Sequence, residues 1–176
     1  MNVTLRGRTQ HFRTVTFDAA TNEVVLIEQR LLPHEFKLVR TRDFKETAAA
    51  IRDMIVRGAG AIGATAAYGL AQGVRAFRGS SLTAFKSHVR KVYEHIAAAR
   101  PTAVDPVNAM NGMLITMRKG DDVASQQALA LAAAEEFANE DVAHCQAIGR
   151  HGAKLVRKGT NVLTHCNAGW LAFVDI

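Results

Sequence analysis

The stretch from Arg57 to Gly73 constrains the fold of this chain more than any other. It opens as Arg57-Gly58-Ala59-Gly60-Ala61-Ile62-Gly63, and its small-residue pattern runs on to Gly73. Two readings of it stand. In the first, the stretch belongs to a helix–turn–helix whose small side chains serve only to let neighbours pack closely. In the second, it is an anion site. Arginine offers a planar fork that fits phosphate oxygens. Glycine allows the backbone to approach a ligand and to take positive φ. A helix starting just downstream would add unpaired N–H groups.

The same letters match a G-x-G-x-x-G dinucleotide fingerprint, but the context does not. That fingerprint needs a strand before it and an acidic residue about 20 positions later. Upstream, Phe44, Ala48, Ile51 and Ile55 recur at helical spacing. Downstream, no Asp or Glu occurs between Asp53 and Glu94, an interval that holds Arg57, Arg75, Arg78, Lys86, Arg90 and Lys91. Such an interval suits an anion better than a ribose hydroxyl; a solvated basic surface is the plain alternative.

A chain of 176 residues holds one domain, or one and part of another. Its 48% hydrophobic content can fill a core, and 22% charge is ordinary for a soluble protein. No apolar run reaches membrane-spanning length. The opening Met1-Asn2-Val3-Thr4-Leu5-Arg6 lacks the apolar core of a signal peptide. A cytoplasmic protein without a membrane partner is the expectation. Cys145 and Cys166 do not make a disulfide framework. The net charge of +6 permits nucleic-acid binding, but the basic residues are dispersed and aromatics make up only 6%. No nucleic-acid partner is expected, and an anionic small substrate explains a basic site equally well.

In chain order, residues 12–40 read as a small antiparallel sheet. Phe12 to Phe17 alternates loosely, residues 18–22 have turn chemistry, Glu23 to Glu28 is β-branched and apolar, and Glu35 to Arg40 forms a third short strand. Helices follow. The first, capped by Thr41 or Asp43, runs to about Val56, and the second from Ala61 to Phe77. Ser80 or Ser81 caps a third, with Leu82, Phe85, Val89, Val92 and Ile96 on one face. After a break at Arg100-Pro101-Thr102, Asp105 is the expected N-cap of a fourth helix with Pro106 at its first position. Met110, Met113 and Met117 read as core filling. Asp121 or Asp122 starts an alanine-rich helical region that re-caps near Asn139–Asp141 and reaches Lys158. Beyond Gly159, Asn161 to His165 reads as a short apolar strand, Cys166 to Gly169 as the loop at its end, and Trp170 to Val174 as the start of a helix. The expected class is α+β: sheet plus helical domain over 1–158, and the first strand of a Rossmann-like α/β domain over 159–176.

Cys166 is the leading single candidate for chemistry. It sits in a strand-end loop beside a glycine and a helix start, the kind of place where a thiol becomes a nucleophile; a buried structural cysteine is the alternative. Cys145 falls within a helix and reads as structural. His144-Cys145 and His165-Cys166 suggest zinc, but adjacent residues point in different directions and the spacing matches no finger, so no metal is expected. Arg100, fixed before a proline, reads either as a second phosphate ligand or as a helix C-terminal charge. Asp53 reads as a surface charge.

Taken together, Ile51-Arg52-Asp53-Met54, Val56-Arg57-Gly58-Ala59-Gly60-Ala61-Ile62-Gly63, Ala66-Ala67-Tyr68-Gly69, Arg100-Pro101-Thr102-Ala103-Val104 and Leu163-Thr164-His165-Cys166-Asn167-Ala168-Gly169 resemble the S-methyl-5-thioribose-1-phosphate isomerase family. That family includes ribose-1,5-bisphosphate isomerase and regulatory subunits of the translation-initiation guanine-nucleotide exchange factor. Glu28-Gln29 and Leu32-Pro33 add to the likeness. It implies an aldose-1-phosphate to ketose-1-phosphate isomerase of methionine salvage. Arg57, Gly58, Ala59 and Arg100 would bind a phosphorylated pentose, Cys166 would have the catalytic role, no cofactor is needed, and the enzyme would be a homodimer. Family members draw an aspartate that serves as acid from their second domain; no position here matches it, Asp175 included, so the 176-residue chain alone is expected to be inactive, with residues 160–176 exposed, paired with another chain or poorly ordered. Two departures bear on the substrate. Gly60 stands where the methylthioribose enzymes usually have proline, and Asp105-Pro106 replaces a polar-apolar pair. The alternatives are a ribose-1,5-bisphosphate or 5-deoxypentose-1-phosphate isomerase, or a non-catalytic regulatory subunit.

The chemistry implied is unusual for a sugar isomerase. Phosphate on the C1 oxygen prevents opening to a free aldehyde, so an acid must assist at the ring oxygen while hydrogen passes from C2 to C1. A water-poor site supports this whether a proton or a hydride moves.

Overall fold

A computed structural model describes residues 1–176. Two antiparallel sheets precede five helices, β1(Asn2–Leu5), β2(Arg8–His11), β3(Val15–Asp18), β4(Glu23–Ile27), β5(Leu38–Thr41), α1(Phe44–Arg52), α2(Ala59–Arg75), α3(Leu82–Ala97), α4(Val104–Met117) and α5(Val123–Gly152), and a 3₁₀ turn spans Trp170–Ala172. The α+β class expected from the sequence is the class observed.

Helix α2 is the axis of the molecule. Every residue from Gly60 to Val74 is buried, and the other four helices and the β3–β4–β5 sheet all pack against it. A helix apolar on all sides belongs inside a core. Its small residues set how closely neighbours come: a Cβ at Gly73 would lie 2.5 Å from Val92 Cγ1, and one at Gly69 2.9 Å from Thr47 Cγ2. The packing reading of this run is therefore correct for its body, leaving the anion question to its first turn.

The three-stranded sheet has order β3-β4-β5, with Val15 opposite Leu26 and Val24 opposite Thr41. Val15, Val24 and Leu26 are fully buried. A buried polar knot joins sheet to helix: Gln72 Nε2 donates to Thr41 O at 2.8 Å and Asn22 O at 2.9 Å, while Thr47 Oγ1 donates to Gln72 Oε1 at 2.7 Å. Buried amides are tolerated only when paired in this way. The methionines Met110, Met113 and Met117 fill the core, each at most 3% exposed.

Several boundaries differ from expectation for identifiable reasons. The β1–β2 hairpin was not foreseen; its strands are mostly exposed and lack apolar alternation. The first strand of the main sheet starts at Val15, not Phe12. Helix α1 ends at Arg52, not Val56, because a Schellman closure stops it: Met54 takes φ 60° and Ile55 N–H donates to Ala50 O at 2.9 Å. The N-cap of α4 is Ala103, with no side-chain bond, so Asp105 and Pro106 lie within the first turn. Helix α5 starts at Asp122 with a capping box to Ser125 and runs unbroken past Asn139, ending at Gly152 rather than Lys158.

The C-terminal region departs most. Asn161 to His165 pairs with no strand and is exposed throughout, Leu163 to 95%. A short apolar run has no reason to extend without a neighbouring strand to satisfy its backbone. Residues 170–175, expected to be exposed, instead return to the core, where Ala172 and Val174 are fully buried. The helix expected there is only the 3₁₀ turn. Thr14 N–H donates to Val174 O at 2.8 Å, Val174 N–H to Asp141 Oδ2 at 2.7 Å, and Thr14 Oγ1 to Trp170 O at 3.1 Å. No helix of the chain is long and apolar enough to cross a membrane.

Candidate functional site

The turn between α1 and α2 positions the cleft. Met54 and Ile55 close α1, Val56 is fully buried, and Arg57 follows. Gly58 is the N-cap of α2, at φ 97° and ψ 146°, with no side-chain cap. Only glycine takes that conformation readily. The position also demands glycine sterically, since a Cβ would stand 2.2 Å from Ala172 Cα. One achiral residue thus lets the 170–175 segment rest directly on the start of α2.

The first turn of α2 keeps free donors. The first N–H to find an acceptor is that of Ile62, which donates to Gly58 O at 2.9 Å. The N–H groups of Ala59, Gly60 and Ala61 have no partner in the chain, as at any uncapped helix start.

Two guanidinium groups converge there. Arg57 donates from Nη2 to Gln29 O at 3.0 Å, while its Nε is buried without a partner. Arg100 lies in the turn after α3, and its Nη1 is likewise buried and unpartnered. Buried donors are almost always satisfied, yet each of these arginines, like the buried Trp170 Nε1, keeps a donor without an acceptor in the chain. Both arginines line a cleft of about 480 Å³ together with Gly58, Ala59, Cys166 and Asn167. The walls contain these two cations and no carboxylate. All five residues singled out from the sequence, Arg57, Gly58, Ala59, Arg100 and Cys166, therefore meet in one place.

Cys166 lines the same cleft. It is exposed, at φ 61°, in a loop that ends at Gly169 with φ 87°. The strand and helix start expected to frame it are absent, so its place is set by the loop and by the packed residues beyond it. Cys145 lies half-buried on α5, where burial and then the Asp141 carboxylate push its thiol up. Asp53 caps α1 at the surface and pairs with Arg52 at 2.8 Å. No three His, Cys, Asp or Glu side chains come together as a metal cluster.

Five further residues line the cleft, Met54, Ile62, Thr102, Ala103 and Asn167; all fall within the motifs that carry the family likeness, though none was assigned to the site. Thr102 neighbours Arg100-Pro101 in sequence, and Met54, the last residue of the Ile51–Met54 motif, takes a left-handed conformation at the close of α1. A smaller cavity of about 220 Å³ shares Ala59, Ile62 and Ala103 with the cleft and adds Val104, Asp105 and Pro106. Behind the helix start, a Cβ at Gly60 would stand within 2.2 Å of Asp141 Oδ1. Burial, then the neighbouring Asp105, pushes the Asp141 carboxyl up, against the Val174 N–H bond that lowers it.

Comparison with known proteins gives the same kinship in sequence and in fold. The chain is 44% identical over 171 residues to the methylthioribose-1-phosphate isomerase of Methylorubrum populi, covering 93% of this chain and 45% of that protein. The Thermosipho africanus enzyme of that name is 41% identical over 163 residues, covering 93% and 47%. Among solved structures, 5-methylthioribose 1-phosphate isomerase from Pyrococcus horikoshii OT3 superposes with a TM-score of 0.86 at 37% identity, over 95% of this chain and 47% of that one. Translation initiation factor eIF-2B subunit delta from A. fulgidus gives 0.82 at 37%, over 94% and 48%. The chain spans about half the length of the relatives it matches. The family model for the Initiation factor 2 subunit family matches residues 55–174, from the turn before Arg57 to the buried Val174, and the chain belongs to that family.

Proposed function

We propose that this chain contributes the phosphate-binding half of an aldose-1-phosphate isomerase acting on S-methyl-5-thioribose 1-phosphate. One observation carries the reading: Arg57 and Arg100, each with a guanidinium nitrogen that lacks a partner, line one carboxylate-free cleft that also holds Cys166. Arg57, Arg100 and the free N–H groups of Ala59, Gly60 and Ala61 take the phosphate oxygens, and Gly58 lets the backbone approach them. Cys166, which lines the same cleft, acts at the sugar carbons, as proton carrier or as stabiliser of developing charge. The naming of the relatives as methylthioribose-1-phosphate isomerases supports the substrate class.

The adjoining cavity favours the methylthio sugar over a bisphosphate. Its walls are Ala59, Ile62, Ala103, Val104 and Pro106, with Asp105 as the one charge. An apolar thioether fits such a lining, whereas a second phosphate would meet a carboxylate and no cation.

The test is turnover by the complete gene product on methylthioribose 1-phosphate, ribose 1,5-bisphosphate and 5-deoxyribose 1-phosphate. Ketose formation from the first is expected to dominate. No turnover of any, together with stable binding to a translation factor, would overturn the reading in favour of a regulatory subunit. Residues 1–176 alone should be inactive, because the resemblance places the acid in chain beyond them; steady turnover by that piece would refute this.

A further inference from the structure

Two parts of the cleft are tied to one buried residue that no part of the proposed mechanism uses, one through its backbone and the other through its side chain. Gln29 follows β4 and is 2% exposed. Its backbone N–H donates to Ile55 O at 3.0 Å, and its backbone carbonyl accepts from Arg57 Nη2 at 3.0 Å. Its side-chain Nε2 donates to Leu171 O at 2.8 Å, and no other group in the chain donates to that carbonyl. Leu171 stands two residues beyond Gly169, where the Cys166 loop ends.

The loop has little else to hold it. From Lys154 to Gly169 every residue is exposed, and the hydrogen bonds of the stretch are local, such as Thr160 N–H to Arg157 O at 3.0 Å. Its first attachments to the core come at residues 170–175, and Gln29 is the residue among them whose side chain holds the segment while its backbone carbonyl holds Arg57. A buried amide donor with a fixed acceptor is a stiff link, because rotating it would break a bond with no water to replace it.

We propose that Gln29 is a positioning residue that sets the Cys166 loop in register with Arg57, so that a phosphate held by the arginine presents its sugar to the thiol. This rests on the reading of the cleft given above. Misplacement by about 1 Å is enough to lose much of a rate while leaving binding intact.

The test uses Gln29→Met, similar in size but without the donor, and Gln29→Glu, similar in shape with an acceptor facing Leu171 O, in the complete gene product. Cooperative melting establishes that each folds. Both variants should hold inorganic phosphate within about twofold of the unchanged protein while kcat falls about tenfold at nearly constant KM. The rate of iodoacetamide modification at Cys166, read by mass spectrometry, should change about fivefold or more in both, and phosphate should protect the thiol less. In Gln29→Glu these effects should reverse as pH falls and the introduced carboxyl gains a proton to donate, a rescue that Gln29→Met cannot show. Unchanged kcat and Cys166 modification in a folded variant would overturn the proposal, as would loss of phosphate affinity in step with kcat. Should neither variant fold, hydrogen exchange on the unchanged protein decides: phosphate should slow exchange at residues 170–175 as well as at 58–62, and no effect at 170–175 overturns the coupling. If the isomerase reading itself fails, the unchanged protein turns nothing over, yet the modification and exchange measurements still report on Gln29.

Discussion

The two walls of the cleft are built on opposite plans. The cation wall is part of the core: Val56 is fully buried, Arg57 is tied to the β4 end of the sheet, and α2 behind it is enclosed on every side. The thiol wall hangs between an exposed stretch and a short buried segment, with Cys166 outside any regular element. On the proposed reading, the phosphate-binding residues are fixed by the same packing that makes the domain stable, whereas the thiol depends on a few bonds at residues 170–175. Sites on rigid elements hold geometry more closely than sites on loops. Changes to the first wall should therefore register as binding or stability, and changes to the second as rate.

The sharpest test of that division is Cys166→Ser. The variant should fold normally and bind substrate while the turnover of the complete protein falls by about 10²–10⁴-fold, the range for loss of a positioned proton-transfer group. Near-normal turnover would make the cysteine structural and erase the contrast. Gly58→Ala should disturb both walls at once, because the new methyl needs a strained φ and meets the Ala172 backbone at 2.2 Å. A loss of about 3 kcal/mol in unfolding free energy is expected from denaturant titration; a loss below about 1 kcal/mol would show that the 170–175 segment shifts freely. Arg57→Ala should weaken phosphate binding by about 1.5–3 kcal/mol, the worth of a charge-assisted bond, with calorimetry as the readout. An unchanged dissociation constant would remove this arginine from the site.

The smallest effect concerns Asp175, which lies behind the thiol wall. Burial pushes its carboxyl up, but the Met1 ammonium at 2.5 Å and His11 at 2.6 Å outweigh that and hold it below the ordinary 3.8. A carboxyl depressed in the folded state adds stability above its unfolded value and loses it as pH falls through the folded one. Asp175→Asn should accordingly cost up to about 1 kcal/mol at neutral pH, since both partners are half exposed. The difference should shrink below pH 3.8. A gap that persists undiminished in acid would mean that shape, not charge, holds the segment.

How much was legible in the sequence divides along the same line. Helix α2, the faces of α3 and α4 and the β3–β4–β5 sheet follow from periodicity and caps, because burial against a core leaves a repeating pattern. The residues of the cleft were legible through residue chemistry and family likeness, and Arg57, Gly58 and Arg100 do stand together. Asn161 to His165 misled, since a strand requires a partner that no local pattern can supply. The β1–β2 hairpin left no apolar alternation to detect. The return of residues 170–175 was hidden because its determinants are remote: Thr14, Gln29, Gly58 and Asp141 are each needed, and none is a neighbour in sequence.

The bond between Thr14 and Val174 joins residues 160 positions apart. Closing so long a loop costs entropy that only later contacts can repay, and such contacts form slowly. A chain leaving the ribosome can assemble all five helices before Val174 emerges, so the hollow beside Thr14 and Gly58 must wait, uncovered, for its last occupant. Anything that delays that arrival leaves a nearly finished domain with apolar surface open to solvent, the kind of intermediate on which chaperones act.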